Sequence, residues 1–242
     1  MASAAGYAQA TRHPWPRLLF LLPFLVAYEV GVVWMGGEHP EALRNGADHW
    51  MRCQLTAANR SLGWLPPTLL LLGFLIWTCR YWADRPTDLT SVLSGMMLES
   101  VGFALGLWGL SRALAPLLEH LGIALAAGEG GEAGFRRIVR FLGSGIYEEA
   151  IFRLVLFSTM LAVLSRFEVK LWLASALAAI GSATLFSAAH HVGPYGEDYR
   201  NYLFLFRLLA GLYFAYLYQY RGFGIAVGSH ACYNVMVSVG SG

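Results

Sequence analysis

Two adjacent glutamates and an arginine stand in an apolar stretch, GIYEEAIFR, from Gly145 to Arg153. Glu149 and Arg153 are four residues apart, the spacing at which opposite charges meet on one helix face, so they can pair. Glu148 lies about 100° around the helix from Glu149. An unpaired carboxylate in a water-poor setting is suited to general-base chemistry, which makes Glu148 the candidate base. The alternative is that both glutamates only form ion pairs within a helix bundle.

Two further apolar stretches carry histidines. In LFSAAHHVGP, Phe186 and His190 are four residues apart, and Gly193 and Pro194 end the helix. His191 points about 100° away from His190, so only one of the two is expected to share a cavity with Glu148. A histidine at a helix end is otherwise a capping or interfacial residue.

In GSHACYNVM, His230 and Asn234 are again four residues apart and present donors from one face. Such a pair could bind a developing oxyanion, or Asn234 could instead form a hydrogen bond between helices. Cys232, between them, is either a thiol nucleophile or a small buried apolar residue. A carboxylate base, two histidines and an amide supply what peptide hydrolysis by water needs.

The elements that must position these groups are membrane helices. The chain of 242 residues is 57% hydrophobic and 13% charged, with a mean hydropathy of +0.50, values typical of membrane proteins. A net charge of +2 excludes a nucleic-acid surface. Apolar stretches of the required length predict an all-α, polytopic bundle of about seven transmembrane helices, at approximately residues 17–35, 65–82, 89–110, 138–164, 171–189, 202–220 and 223–239.

Two parts of the chain follow from this pattern. Residues 1–135 are expected to hold about three spans and, at 36–64, a loop with an interfacial helix. Residues 136–242 are expected to form a catalytic core of four helices. Gly143 and Gly145 would let a neighbouring helix or a substrate approach closely.

Three other intramembrane charges, Glu29, Glu99 and Arg207, allow a rival interpretation as a proton relay or transporter. Arg207 is expected to pair with a glutamate of the first, third or fourth span.

Taken together, EExxxR, FxxxH and HxxxN in this order resemble the motif set of the CPBP family. This family comprises CAAX prenyl endopeptidases and bacteriocin-processing proteins, and is also called the ABI family of glutamic-type intramembrane proteases. The resemblance covers roughly residues 139–239. It implies that Glu148 activates water, that His190 helps to orient this water, and that His230 and Asn234 stabilise the oxyanion.

The resemblance also implies which residues support the site, which substrate it acts on and in which membrane it lies. The residues expected to maintain the geometry of the site are Glu149, Arg153 and Phe186. No cofactor or metal is expected, although Glu148, His190 and His230 would make a zinc set chemically possible. The expected substrate is a membrane-embedded or lipid-anchored peptide or protein, cut in the bilayer of a prokaryotic plasma membrane, with no nucleic acid involved.

Overall fold

The computed structural model describes residues 4–84, 86, 88–120, 134–193 and 196–239, and these ranges contain helices and no strand. The α-helices are α1 (Ala4–Ala10), α2 (Pro14–Gly36), α3 (Gly46–Ala58), α4 (Leu65–Arg80), α5 (Leu89–His120), α6 (Phe135–Gly143), α7 (Ser158–Arg166), α8 (Leu171–Ala189), α9 (Asn201–Tyr220) and α10 (Phe223–Val239). Short 3₁₀ turns, Pro40–Leu43 and Arg60–Trp64, flank α3. The predicted all-α fold is confirmed.

Within the described ranges, four helical segments are long and apolar enough to cross a membrane: Pro14–Gly36, Arg60–Arg80, Leu89–Leu114 and Leu171–Ala189. They correspond to the first, second, third and fifth predicted spans. Helices also occupy the positions of the other three, and their crossing of the bilayer stays a prediction. Lipid cannot hydrogen-bond to exposed backbone groups, which is why apolar segments of this length fold as helices.

The helix that carries the glutamates is not a regular α-helix. Two π-helical segments, Ser144–Glu148 and Ala150–Phe157, join α6 to α7 on either side of Glu149. A π-helix bonds i to i+5 and fits more residues into each turn, and such segments occur often at functional sites. Both glutamates of this stretch face His230 on α10: Glu148 Oε2 lies 3.7 Å from its Nε2, and Glu149 Oε1 lies 2.8 Å from its Nδ1.

Glycines bring this π-helical stretch close to its neighbours. A Cβ at Gly145 would lie 3.0 Å from the carbonyl oxygen of Val227 and 3.1 Å from the backbone nitrogen of Ala231, both on α10. A Cβ at Gly143 would lie 2.1 Å from the ring of Tyr28 on α2. The close helix approach predicted for both glycines is therefore present.

Helix α3 packs against α2 and the first π-helical segment through charged side chains. Arg52 Nη2 lies 2.6 Å from Glu29 Oε1, and Arg44 Nη1 lies 2.8 Å from Asp48 Oδ2. Asp48 also accepts a hydrogen bond of 2.8 Å from the hydroxyl of Tyr28. Asp48 and the two arginines are buried, so the polar side of α3 faces into the bundle.

Candidate active site

The three predicted motifs meet at one carboxylate oxygen. Glu148 Oε2 lies 3.8 Å from Nε2 of His190, just beyond the end of α8, and 3.7 Å from Nε2 of His230 on α10. The side chains are 12%, 26% and 6% exposed in the order Glu148, His190 and His230. The ring of His191 instead contacts the carbonyl oxygen of Glu197 through Nδ1, at 3.1 Å. As expected, only one of the adjacent histidines faces Glu148.

The other ring nitrogen of each histidine is held by an acceptor. Nδ1 of His190 lies 2.8 Å from the carbonyl oxygen of Phe186, and Nδ1 of His230 lies 2.8 Å from Glu149 Oε1. A carbonyl oxygen and an ionised carboxylate only accept, so Nδ1 carries the proton in both rings. When the imidazoles are neutral, both Nε2 atoms therefore turn a lone pair toward Glu148.

Aromatic rings fix the planes of these imidazoles. Phe186 meets the ring of His190 edge-on with centroids 4.8 Å apart, and Phe214 stacks on His230 at 4.5 Å. Burial lowers the pKa of His190, which lies outside the fifth span, while the Glu148 carboxylate acts in the opposite direction. The neutral imidazole is the form that burial favours.

The predicted pair between Glu149 and Arg153 is present. Arg153 Nε lies 3.2 Å from Glu149 Oε2, and both side chains are 0% exposed. Arg153 also donates a hydrogen bond of 3.1 Å to the carbonyl oxygen of Gly211 and lies 4.5 Å from the ring centroid of Phe186. Glu149 thus joins a buried cation to the imidazole of His230, and it holds the orientation of that ring.

Asn234 lies one helical turn beyond His230 on α10. Its Nδ2 donates a hydrogen bond of 2.6 Å to the hydroxyl of Ser144, at the start of the first π-helical segment. This is the hydrogen bond between helices that the sequence left as an alternative. One of the two amide protons is used in this way, and the second is left for another acceptor.

Sequence reasoning missed one neighbour of Glu148. Asn45 Nδ2 donates a hydrogen bond of 3.3 Å to Glu148 Oε1, the oxygen turned away from the histidines. Asn45 precedes α3 and caps its N-terminus, because its Oδ1 accepts the backbone N–H of Asp48 at 3.0 Å. The sequence signal, an asparagine before a helix, predicts a cap and gives no indication of a contact 103 positions away.

The remaining intramembrane charges pair elsewhere. Arg207 Nη2 lies 2.7 Å from Glu197 Oε2, in the segment before α9, so its expected partner in the first, third or fourth span is wrong. Glu99 pairs with Arg221, with 2.7 Å between Oε2 and Nη2. Glu29 pairs with Arg44, before α3, and with Arg52 of α3. Glu29 and Glu99 therefore have different partners.

Cys232 borders an apolar cavity of about 180 Å³ that Phe24, Leu142 and Met236 also line. A reactive thiolate requires an electropositive setting, and these neighbours carry no charge. The surroundings fit a small apolar residue.

In the part of the chain that the structure describes, no three histidine, cysteine, aspartate or glutamate side chains are arranged to hold a metal ion. The zinc set considered from the sequence, Glu148 with His190 and His230, is not among such groups, and a chelator-treated cleavage assay tests it.

Comparison with known proteins agrees with the motifs. Residues 130–236 match the family model described as Rce1-like, type II CAAX prenyl endopeptidase. No curated protein and no solved structure matches the chain. The matched segment contains all three motifs, and its resemblance to the CPBP family is confirmed. The protein is an integral membrane protein, and its C-terminal helices are similar to the Rce1-like family of type II CAAX prenyl endopeptidases.

Proposed function

We propose that the protein hydrolyses a peptide bond of a membrane-anchored or lipidated substrate with a water molecule activated by Glu148. The observation that carries this proposal is the approach of two imidazole Nε2 atoms to one oxygen of Glu148, at 3.7 and 3.8 Å. Three polar groups from three separate apolar helices converge there. Intramembrane ionisable groups are costly, and a shared site is the usual reason for keeping them.

The separations fit a water molecule better than direct contact. Distances of 3.7 to 3.8 Å exceed those of hydrogen bonds, so Glu148 does not bond either ring directly. A water beside the three atoms can donate to the carboxylate and to an Nε2 lone pair. Its own lone pairs then remain free to attack a carbonyl carbon. Exposure of 12% at Glu148 and 26% at His190 supports access for this water.

The reaction proceeds in two proton-balanced steps. Glu148 takes a proton from the water as the water oxygen bonds to the carbonyl carbon, which gives a tetrahedral oxyanion. The carbon–nitrogen bond then breaks, and Glu148 passes the proton to the leaving amine. Both steps use the same carboxylate, first as a base and then as an acid, so the site returns to its starting state.

The oxyanion is stabilised by His230 and Asn234. His230 donates from Nε2 when both ring nitrogens carry a proton, with Nδ1 held by Glu149 Oε1 at 2.8 Å. Asn234 contributes the amide proton that Ser144 does not use. His190, held at Nδ1 by a backbone carbonyl, orients the attacking water.

The substrate class follows from the setting of the site. Its residues lie on helices of a membrane bundle, and the family acts on CAAX-type substrates. A peptide held in or at the bilayer by a lipid or a transmembrane helix reaches such a site, whereas a freely soluble peptide has to leave water to do so. We place the protein in a prokaryotic plasma membrane.

Cleavage by the purified protein in lipid bilayers tests the proposal. One peptide sequence is presented in three forms, free, lipidated and attached to a transmembrane helix, with and without a chelator. We expect cleavage of the two anchored forms that is unchanged by chelation. Loss of cleavage on chelation, with recovery on adding zinc, would refute the metal-free mechanism. Cleavage of the free peptide alone would refute the substrate class.

A further inference from the structure

We infer that Asn45, from the N-terminal half of the chain, is a positioning residue for Glu148. This inference rests on the proposed function, since it concerns the carboxylate proposed as the base. Asn45 lies outside residues 130–236, the segment that matches the family model. If the inference holds, that segment is not sufficient for an active site, and α3 completes it.

The orientation of the Asn45 amide is determined by its contacts. Oδ1 accepts the backbone N–H of Asp48 at 3.0 Å, and the backbone N–H of Asn45 donates to the hydroxyl of Tyr28 at 3.2 Å. The amide nitrogen must therefore be the atom that faces Glu148 Oε1 at 3.3 Å, because exchanging nitrogen and oxygen would put two donors against each other at Asp48. Asn45 is 3% exposed, so solvent does not compete for the contact.

The hydrogen bond from Asn45 gives the two carboxylate oxygens of Glu148 different roles. Oε1 is held by Asn45, and Oε2 is left to face both imidazoles. A carboxylate fixed at one oxygen loses rotational freedom, so the other oxygen stays directed at the water. Without this donor, Glu148 could turn toward other partners and the convergence of the three groups would be lost.

Asn45 is itself held by a cluster of ion pairs. Behind it lie two acidic groups and two arginines, joined by ion pairs of 2.5 to 3.4 Å: Glu29, Asp48, Arg44 and Arg52. Tyr147, next to Glu148, donates to Glu29 and receives a contact from Arg52 at 3.3 Å. The exposed Glu41 also pairs with Arg44, at 3.2 Å, and these ion pairs fix the position of α3. The groups facing Glu148 from other elements are His190 and His230, with Arg153 on its own helix.

A substitution series separates positioning from capping. Ser and Asp cap helices as well as Asn, so N45S and N45D keep the N-cap of α3 and remove the amide donor. We expect kcat to fall about 10- to 100-fold in N45S with little change in KM, the range for losing a hydrogen bond to a charged group. In N45D the fall is larger, because a second carboxylate oxygen takes the position facing Glu148. The unfolding temperature of N45S should stay near that of the wild type, whereas N45D adds a buried charge and should unfold at a lower temperature.

A matched control uses the other asparagine cap of this region. Asn59 caps the 3₁₀ turn Arg60–Trp64 through a bond of 2.9 Å to the N–H of Ser61 and is exposed. N59D and N59S should retain wild-type kcat. If N45S and N45D also retain it while E148Q is inactive, the inference about Asn45 is overturned and the proposed function stands. If E148Q cleaves as fast as the wild type, the proposed function itself is wrong.

Discussion

The buried pair of Glu149 and Arg153 allows stability and activity to be separated. In E149Q, Arg153 keeps its charge at 0% exposure with no carboxylate 3.2 Å away. Breaking a buried pair on one side costs about 3–5 kcal/mol. For a chain of this length that corresponds to a fall of about 6–20 °C in the unfolding temperature. R153M alone leaves Glu149 uncompensated and should cost a similar amount.

The double variant E149Q/R153M removes both charges at nearly constant volume. Replacing a whole buried pair by uncharged groups is close to neutral, so most of the lost stability should return. Activity should not return, because the acceptor that holds Nδ1 of His230 at 2.8 Å is still altered. The assay is thermal unfolding of the bilayer- or detergent-held protein beside its cleavage rate. If the double variant loses as much stability as the two single variants added together, the ion-pair argument is contradicted. One that regains wild-type cleavage would contradict the role of Glu149 in orienting His230.

Three shorter predictions concern the remaining contacts. G145A should lose about 1–3 kcal/mol of stability and part of its activity, since its Cβ would press on α10, whereas G102A, with no atom within 4 Å of its Cβ, should unfold at or above the wild-type temperature. N234A should lower kcat about 100- to 1000-fold if Asn234 binds the oxyanion, and an unchanged kcat would remove it from that role. E99Q breaks the pair with Arg221 and should retain most of the cleavage activity; a loss as large as that of E148Q would favour a proton relay.

Much of the architecture could be predicted from hydropathy and from the residues that begin and end helices. The observed α8, Leu171–Ala189, and α10, Phe223–Val239, have the bounds that their apolar runs indicated. Long apolar segments have only one way to satisfy their backbone in lipid, so the sequence determines them locally. Spacing of four residues also predicted the contact between Glu149 and Arg153, because it depends on one helix alone.

Other features depend on contacts between distant parts of the chain, which local patterns do not encode. The π-helical stretch on either side of Glu149 has no signature in residue type, so the sequence predicts a regular helix there. Asn45 could be recognised only as a cap, since its partner Glu148 lies on another helix. For Arg207 the sequence predicts a partner within the membrane, whereas the structure pairs it with Glu197, ten positions earlier.

The comparison of E148Q with the wild type tests the central claim most directly. The glutamine side chain of this variant has nearly the size of the glutamate and could still accept from Asn45, but it could not take a proton from water. The exposed Glu38, as E38Q, is the matched control for the same change of charge. With a membrane-anchored peptide as the substrate, we expect cleavage to fall at least about 100-fold in E148Q and to stay at the wild-type rate in E38Q. Equal rates for E148Q and the wild type would contradict the assignment of Glu148 as the base.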